Sequence, residues 1–261
     1  MERTEIVSLY KNTPADGTVV TVCGWAKNIR DSKNIGFIAL SDGGCFKTLQ
    51  VVLEAGKLEN YDAVIHICVG SKFSSCCQNA KLAAQEFGNV SVVDSENICT
   101  GQGYLVLRAA KLAADGLPPR NICMRLQALA KKVDLSFVLN QLDYMAKSGR
   151  CSGVLAFGAN ILGIKPSLAV IDGELKVVKK YRGQLPICVG KYITEKLADR
   201  DDIDTSVVFL SSCQPKPGCL EAVKAGLAQY GKFEQIIETD IGTTIGGYSG
   251  PGTIGIVFAT T

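Results

Sequence analysis

The chain has 261 residues, 47% of them hydrophobic and 20% charged, with a formal net charge of +3. That is enough for one large domain or two modest ones with an ordinary core, and the charge is too mild to argue for nucleic acid by itself. No uninterrupted apolar stretch approaches the ~20 residues of a membrane-spanning helix.

Residues 1–55 read as β structure. TVVTVCGWAKNI, GFIAL and KTLQVVLE form three short runs, with RDSKN and SDGG between them, which predicts a three-strand antiparallel meander. From Asp62 the period changes. AVIHICV predicts a buried strand, KLAAQEF a helix and NVSVVD a second strand, and YLVLRAAKLAADG gives a helix stopping at Gly116. A further helix follows Pro118 and Pro119, then the strand-like LSFVLN; this alternation is the signature of βαβ units on a parallel sheet. After about Arg150 come two strand runs around Asp172-Gly173, a strong hairpin signal. Next are a helix through KYITEKLADR, a strand SVVFLSS, a helix LEAVKAGLAQYG and a strand FEQIIETDI; the chain ends in TTIGGYSGPGTIGIVFATT.

Eleven cysteines are many, yet no CxxC spacing occurs, only Cys76 and Cys77 adjoin, and the sole histidine is His66. A structural zinc site needs four Cys or His ligands, usually as two close pairs, so no metal is expected. The opening MERTEIVSLYKN has no apolar h-region, so buried reduced thiols in a cytoplasmic protein are expected. His66 lies inside an apolar strand without a second histidine, which predicts a packed core residue.

Two stretches invite a ligand. ICVGSKFSSCCQNAKLAAQEF, residues 67–87, carries hydroxyls and one lysine before a helix, but no acid in its polar part. The N–H groups and dipole of a helix opening suit an anion, although Ser71 or Ser74 serves equally well as a plain cap. GGYSGPGTIG near the C-terminus is no P-loop, because no GKS or GKT follows its glycines. Its glycines permit positive φ and close backbone approach, with a tight turn as the alternative. No paired carboxylates, Ser–His–Asp set or metal cluster emerges.

The stretch with GW at 24–25, IRDSKN at 29–34, GFI at 36–38 and FKTLQVV at 46–52 resembles the N-terminal anticodon-binding OB-fold of asparaginyl-tRNA synthetases over about residues 18–61. An OB barrel has five strands and three are present, so the resemblance implies an incomplete OB-like segment. None of the later class II synthetase motifs follows, which rules out aminoacylation. Trp25, Arg30, Lys33 and Phe37 fall where such folds stack on or steer RNA. In a three-strand remnant with unpaired edges, tRNA binding is not expected.

From about Tyr61 onward the chain resembles the DegV family, bacterial fatty-acid-binding proteins that deliver fatty acids to a fatty acid kinase. The marks are SKFSS at 71–75, VVDS at 92–95, GRCS at 149–152, GIKPSL at 163–168, KKYRG at 179–183 and IGTTIGGYSGPGTIGI at 241–256. The resemblance implies a DegV-like two-lobe α/β architecture with an α/β lobe at 62–150 and an α+β lobe at 151–261. The family's N-terminal portion, with its DSTAD-like turn and TSQPS-like segment, is not matched. The synthetase-like residues 1–61 stand in its place, which reads as a chimera joined near Asn60-Tyr61-Asp62.

The family likeness also assigns roles. Ser71 matches the serine that bonds the fatty-acid carboxylate, and Arg150 a basic position near the head group. Arg182 matches a region of kinase engagement. Gly247-Tyr248 replaces the family's Thr-His pair; a phenol donates a hydrogen bond but lacks imidazole's acid–base behaviour near neutral pH. Arginine's fork suits carboxylate and phosphate, though a surface or domain-bridging arginine is the plain alternative for both positions. Lys165 is expected to be structural. The implied function is a non-enzymatic carrier of a long-chain fatty acid, with no cofactor and a fatty acid kinase as partner. The acyl chain would lie in an apolar tunnel worth roughly 0.8 kcal/mol per buried methylene. A tRNA-binding module relying on Lys27, Arg30 and Lys33 is the rival reading.

Overall fold

The structure is a computed structural model that describes residues 4–22, 25–32, 35–41, 49–54, 62–151 and 163–261. The chain divides into two compact units, residues 1–62 and 63–261.

The first unit holds the short helix α1 (Ile6–Lys11) and strands β1 (Trp25–Ser32), β2 (Ile35–Ser41) and β3 (Leu49–Glu54). They form an antiparallel sheet in the order β1-β2-β3, so the meander read from the sequence is present. Trp25 and Arg30 fall on β1 and Phe37 on β2, where Arg30 and Phe37 pair directly across the strands. Lys33 and the Asn60-Tyr61 junction lie outside the described residues.

The second unit contains two sheets. Strands β4 (Val64–Cys68) and β5 (Val90–Asp94) form a parallel pair joined through α2 (Cys76–Ala84). After α3 (Cys99–Ala114) and α4 (Pro119–Ala130), β6 (Val133–Val138) leaves that parallel pair. The expectation that LSFVLN would extend the parallel sheet is corrected: β6 pairs antiparallel on both sides, with β7 (Ile164–Ile171) and β11 (Thr253–Thr260). Local pattern marks a strand but not its neighbour, because pairing is set by distant chain.

The remaining elements are α5 (Asp143–Ser148), β8 (Glu174–Arg182), α6 (Leu185–Leu197), β9 (Ile203–Cys213), α7 (Cys219–Tyr230), β10 (Ile236–Asp240) and α8 (Thr243–Ser249). The larger sheet has the order β10-β9-β11-β6-β7-β8. Asp172 and Gly173 join β7 to β8 with positive φ at both, +54° and +74°. That is the geometry a two-residue primed hairpin turn demands, and it explains the Asp-Gly pair.

The large sheet is buried on both faces. One face packs Ile254, Ile256, Phe258, Val208 and Leu210 against α6 and α7. The other packs Leu135, Phe137, Phe209 and Val257 against α3 and α4, which in turn hold up Val93 of β5. Central β11 is accordingly apolar on both sides, and Gly255 has no room for a side chain because a Cβ would strike the Ser136 carbonyl and Phe137.

His66 corrects the sequence expectation. On β4 burial alternates, with Ile65 and Ile67 packed on the core while Val64 and His66 are exposed. Apolar neighbours on both sides suggested a strand buried on both faces, but α2 covers the outer face of the pair incompletely.

Candidate functional site

The turn between β4 and α2 carries Ser71, and its geometry differs from the one its sequence suggests. Helix α2 begins at Cys76, five residues beyond Ser71, so Ser71 does not sit on the helix opening. The Ser74 hydroxyl takes that place, accepting a 3.2 Å hydrogen bond from the Cys76 N–H. Ser71 is exposed, and its own N–H donates 3.1 Å to Oδ1 of Asp94 at the end of β5. The same carboxylate oxygen accepts from the Glu96 N–H at 2.9 Å. The turn is therefore organised by an acid that lies 23 residues further along the chain. A guest carboxylate here has the Ser71 hydroxyl available, but it also meets the charge of Asp94.

Lys72, beside Ser71, reaches across to the β7–β8 hairpin. Its ammonium donates 2.9 Å to the Asp172 carbonyl and lies 3.4 Å from Glu174. The hairpin is thus latched to the turn, and Gly173 comes within 3.7 Å of both Lys72 and the Glu96 carbonyl as measured from a Cβ built on it.

Below this turn Cys68 and Cys77 are both buried and in hydrogen-bond contact. Burial, then the neighbouring Cys77, pushes the Cys68 thiol up to about 12, so it stays protonated and behaves as a small apolar group.

A second group of residues forms around α8. The guanidinium of Arg150 lies 5.2 Å from the centre of the Tyr248 ring, a cation–π stack, and donates to the Ser148 carbonyl. The structure thus brings Arg150 and Tyr248 together, although they are 98 residues apart by number (248 − 150). Gly247 is exposed, with open space where a Cβ would stand. The following glycines are tightly constrained. Gly250 has φ +79° with the Tyr144 ring 2.5 Å from its Cβ position, and Gly252 has φ +83° with Asn140 2.8 Å away. The Gly252 N–H donates 2.7 Å to the Cys213 carbonyl. Lys165 fastens the same region, donating to the Asn140 carbonyl at 2.7 Å and to its side-chain oxygen at 2.8 Å. The glycine-rich stretch is thus a close-packed turn with Tyr248 and Arg150 on its accessible side. Ser249 Oγ is buried there without a hydrogen-bond partner among the described residues.

Arg182 ends β8, exposed, opposite Ile164. No contact among the described residues joins it, or Ser71, to the Arg150–Tyr248 pair. Sequence reading missed Asp94, Lys72 and Asn140. Asp94 had a signal: an acid at the carboxyl end of a parallel strand lies where such folds place ligand-facing groups.

No group of three or more His, Cys, Asp or Glu among the described residues is arranged to hold a metal, and no helix among them is long and apolar enough to cross a membrane.

A parallel βαβ pair stacked through two helices on a six-stranded mixed sheet defines a mixed α/β protein. The family model described as "Uncharacterised protein, DegV family" matches residues 46–261. A DegV domain-containing protein of Deinococcus radiodurans is 32% identical over 209 residues, covering 77% of this chain and 72% of its own. The chain therefore belongs to the DegV family. The match begins inside the stretch that resembles a synthetase and takes in β3.

The fold agrees with solved relatives. A Thermus thermophilus DegV family protein, described for its fatty-acid binding, superposes with a TM-score of 0.67 at 26% identity, covering 78% of this chain and 73% of that one. The Streptococcus pneumoniae Fatty Acid Kinase B3 protein, loaded with linoleic acid, gives 0.67 at 17% identity over 78% and 74%.

Proposed function

We propose that this chain is a non-enzymatic carrier of long-chain fatty acids that presents the acyl carboxylate to a fatty acid kinase. The observation that carries the reading is the likeness in fold and sequence to the fatty-acid-binding Thermus protein across about three quarters of the chain. The kinase role rests on the shared fold with the pneumococcal protein.

In this reading the head group is held by polar groups at the Ser71 turn and by Arg150. Ser71 offers a hydroxyl, while its N–H is already taken by Asp94. Asp94 opposes a second carboxylate, and the guanidinium of Arg150, 5.2 Å from the centre of the Tyr248 ring, is assigned the compensating charge. Tyr248 offers a phenol donor and no proton shuttle, which suits a protein that holds a substrate for another enzyme to activate. Arg182, exposed at the end of β8, is assigned to kinase contact. The tail is assigned to an apolar tunnel between the lobe of residues 62–150 and that of residues 151–261. No observation favours RNA binding by Trp25, Arg30, Lys33 and Phe37 over this reading.

The test is native mass spectrometry of the purified protein before and after delipidation, followed by titration with palmitate and oleate. One bound acyl chain is expected. Ser71→Ala should weaken binding about tenfold, in line with one hydrogen bond to a charged group. A protein that carries no acyl chain and takes up neither acid is not a carrier.

A further inference from the structure

The hairpin of β7 and β8 is built as an arm with a root and a tip. Strand β8 is the last of the large sheet, and β7 pairs with β6 at Ser167, Leu168 and Ala169. Past Ala169 the two strands run on with each other, Val170 opposite Leu175 and Ile171 opposite Glu174, up to the Asp172-Gly173 turn. The root is marked on β8. Ser167 pairs with Lys179 and Leu168 with Val177, so Val178 between them is an extra residue with no partner on β7. A bulge of this kind interrupts the ladder and bends the strand.

The arm has one apolar face. Leu168 with Val177, and Val170 with Leu175, make two cross-strand pairs on it. All four belong to the core cluster that also takes in Val69 and Phe73, which flank Ser71 on the neighbouring turn. The opposite side of the tip carries Ile171, Glu174 and Lys176, all exposed. Few polar contacts hold the tip. The Cys151 thiol bonds the Leu175 carbonyl at 3.3 Å. Lys72 donates 2.9 Å to the Asp172 carbonyl and lies 3.4 Å from Glu174, with both of the charged side chains about half exposed. An ion pair so open to water is weak and is screened by salt.

We propose that this arm is a lid over the head-group end of the acyl site, hinged at the Val178 bulge and fastened by Lys72, and that its opening sets how fast a fatty acid enters and leaves. The inference rests on the carrier reading, which puts the carboxylate at the Ser71 turn and the tail between the lobes of residues 62–150 and 151–261. Lys72 belongs to the first lobe and the arm to the second. The fastening therefore crosses the boundary along which the tail is placed, one residue from Ser71.

The construction suits a part that opens often. A bulge supplies the few backbone positions that absorb a hinge motion. The central strands β9, β11 and β6 are paired on both edges, whereas the tip has only its own two strands, four apolar side chains, one thiol bond and one half-exposed ion pair. Local opening of such a tip costs much less than opening of the sheet it stems from. A fastening made alike in the empty and the loaded protein changes the entry and exit rates by the same factor and leaves the Kd alone. A direct contact to the ligand instead changes the Kd.

Stopped-flow fluorescence on the full chain tests this. Cis-parinaric acid, a fluorescent long-chain fatty acid, is mixed in for association and displaced by excess oleate for dissociation. Glu174→Gln leaves every group of the Ser71 turn in place. It should raise both rates about threefold while the Kd stays within about twofold. Lys72→Ala should speed exchange to the same extent, and the double variant no further, because both cut one fastening. Raising the salt from about 0.05 M to about 0.5 M should quicken the wild type and not the variants. Hydrogen exchange reads the arm without any ligand: amides of residues 170–177 should exchange faster in Glu174→Gln, and those of residues 179–182 should not. A wild-type chain that takes up no acyl chain fails the carrier reading, and the lid falls with it. Binding whose rates ignore Glu174→Gln overturns the lid alone and leaves the carrier reading standing. So do a Kd that weakens while the association rate holds, and unchanged hydrogen exchange in the arm.

Discussion

Strands β4–β5 and β9–β11–β6 are built from similar residues, yet they stand on different footings. The three central strands of the large sheet are covered on both faces and paired on both edges. The two-stranded ribbon has one face on α3 and α4, the other partly under α2, and few ladder bonds. A sheet of two strands owes its stability mainly to what it packs against. Stability in this unit is therefore concentrated in the large sheet, while the turn bearing Ser71 hangs from the weaker one. Turns carried on a rigid scaffold are commonly less tightly packed than the elements beneath them.

Variants can press on this contrast, beginning where the effect is largest. Phe258→Ala on β11 should cost about 3–5 kcal/mol, read as a lowered midpoint in denaturant titration, since the ring is fully buried against α6 and α7. Gly250→Ala should cost about 2 kcal/mol or more, because its φ of +79° and the Tyr144 ring both exclude a Cβ, whereas Gly247→Ala nearby should stay within about 0.5 kcal/mol. A Gly247→Ala effect as large as that of Gly250→Ala would show that α8 is packed more tightly than described. Asp94→Asn keeps an acceptor but removes a charge, so it should improve fatty-acid affinity several-fold, by roughly 0.5–1 kcal/mol, with little change in the unfolding midpoint. Lys72→Ala, which cuts a half-exposed ion pair, should change stability by less than about 1 kcal/mol. Hydrogen exchange sharpens the contrast without mutation: amides of β4 and β5 should exchange well before those of β11, and equal protection in the two would refute it.

Acid adds a further measurement. Burial raises the Asp204 carboxyl, but hydrogen bonds from Ser206 and the charge of Arg108 outweigh it and leave it below the usual carboxylate range. Its folded-state value lies beneath its unfolded one, so it contributes stability above the ordinary aspartate range and loses it as pH falls further. Asp204→Asn should flatten the acid limb of the stability profile by a small amount.

Much of the fold was legible in the residues. Asp172-Gly173 announced its hairpin, and the apolar run TIGIVFAT announced a buried strand. That β11 lies between β9 and β6 could not be read, since its partners are set by chain 40 to 126 residues away and no local period encodes them. His66 was misjudged because burial on its face depends on where α2 lies. At the site, Ser71 and the Arg150–Tyr248 positions came from family likeness alone. Asp94 escaped notice because the turn was read as a local motif, whereas an acid 23 residues downstream completes it.

The Lys72–Asp172 contact ties together residues 100 positions apart. A nascent chain released only as far as α5 would have strands β4 and β5 and the intervening turn, already bonded to Asp94 but not yet latched through Lys72. Such a contact comes late in a folding reaction, after the loop-closure entropy of a long segment has been overcome. The turn that bears Ser71 thus reaches its final form only once the second hairpin has been synthesised, so binding competence should lag behind the appearance of helical signal during refolding.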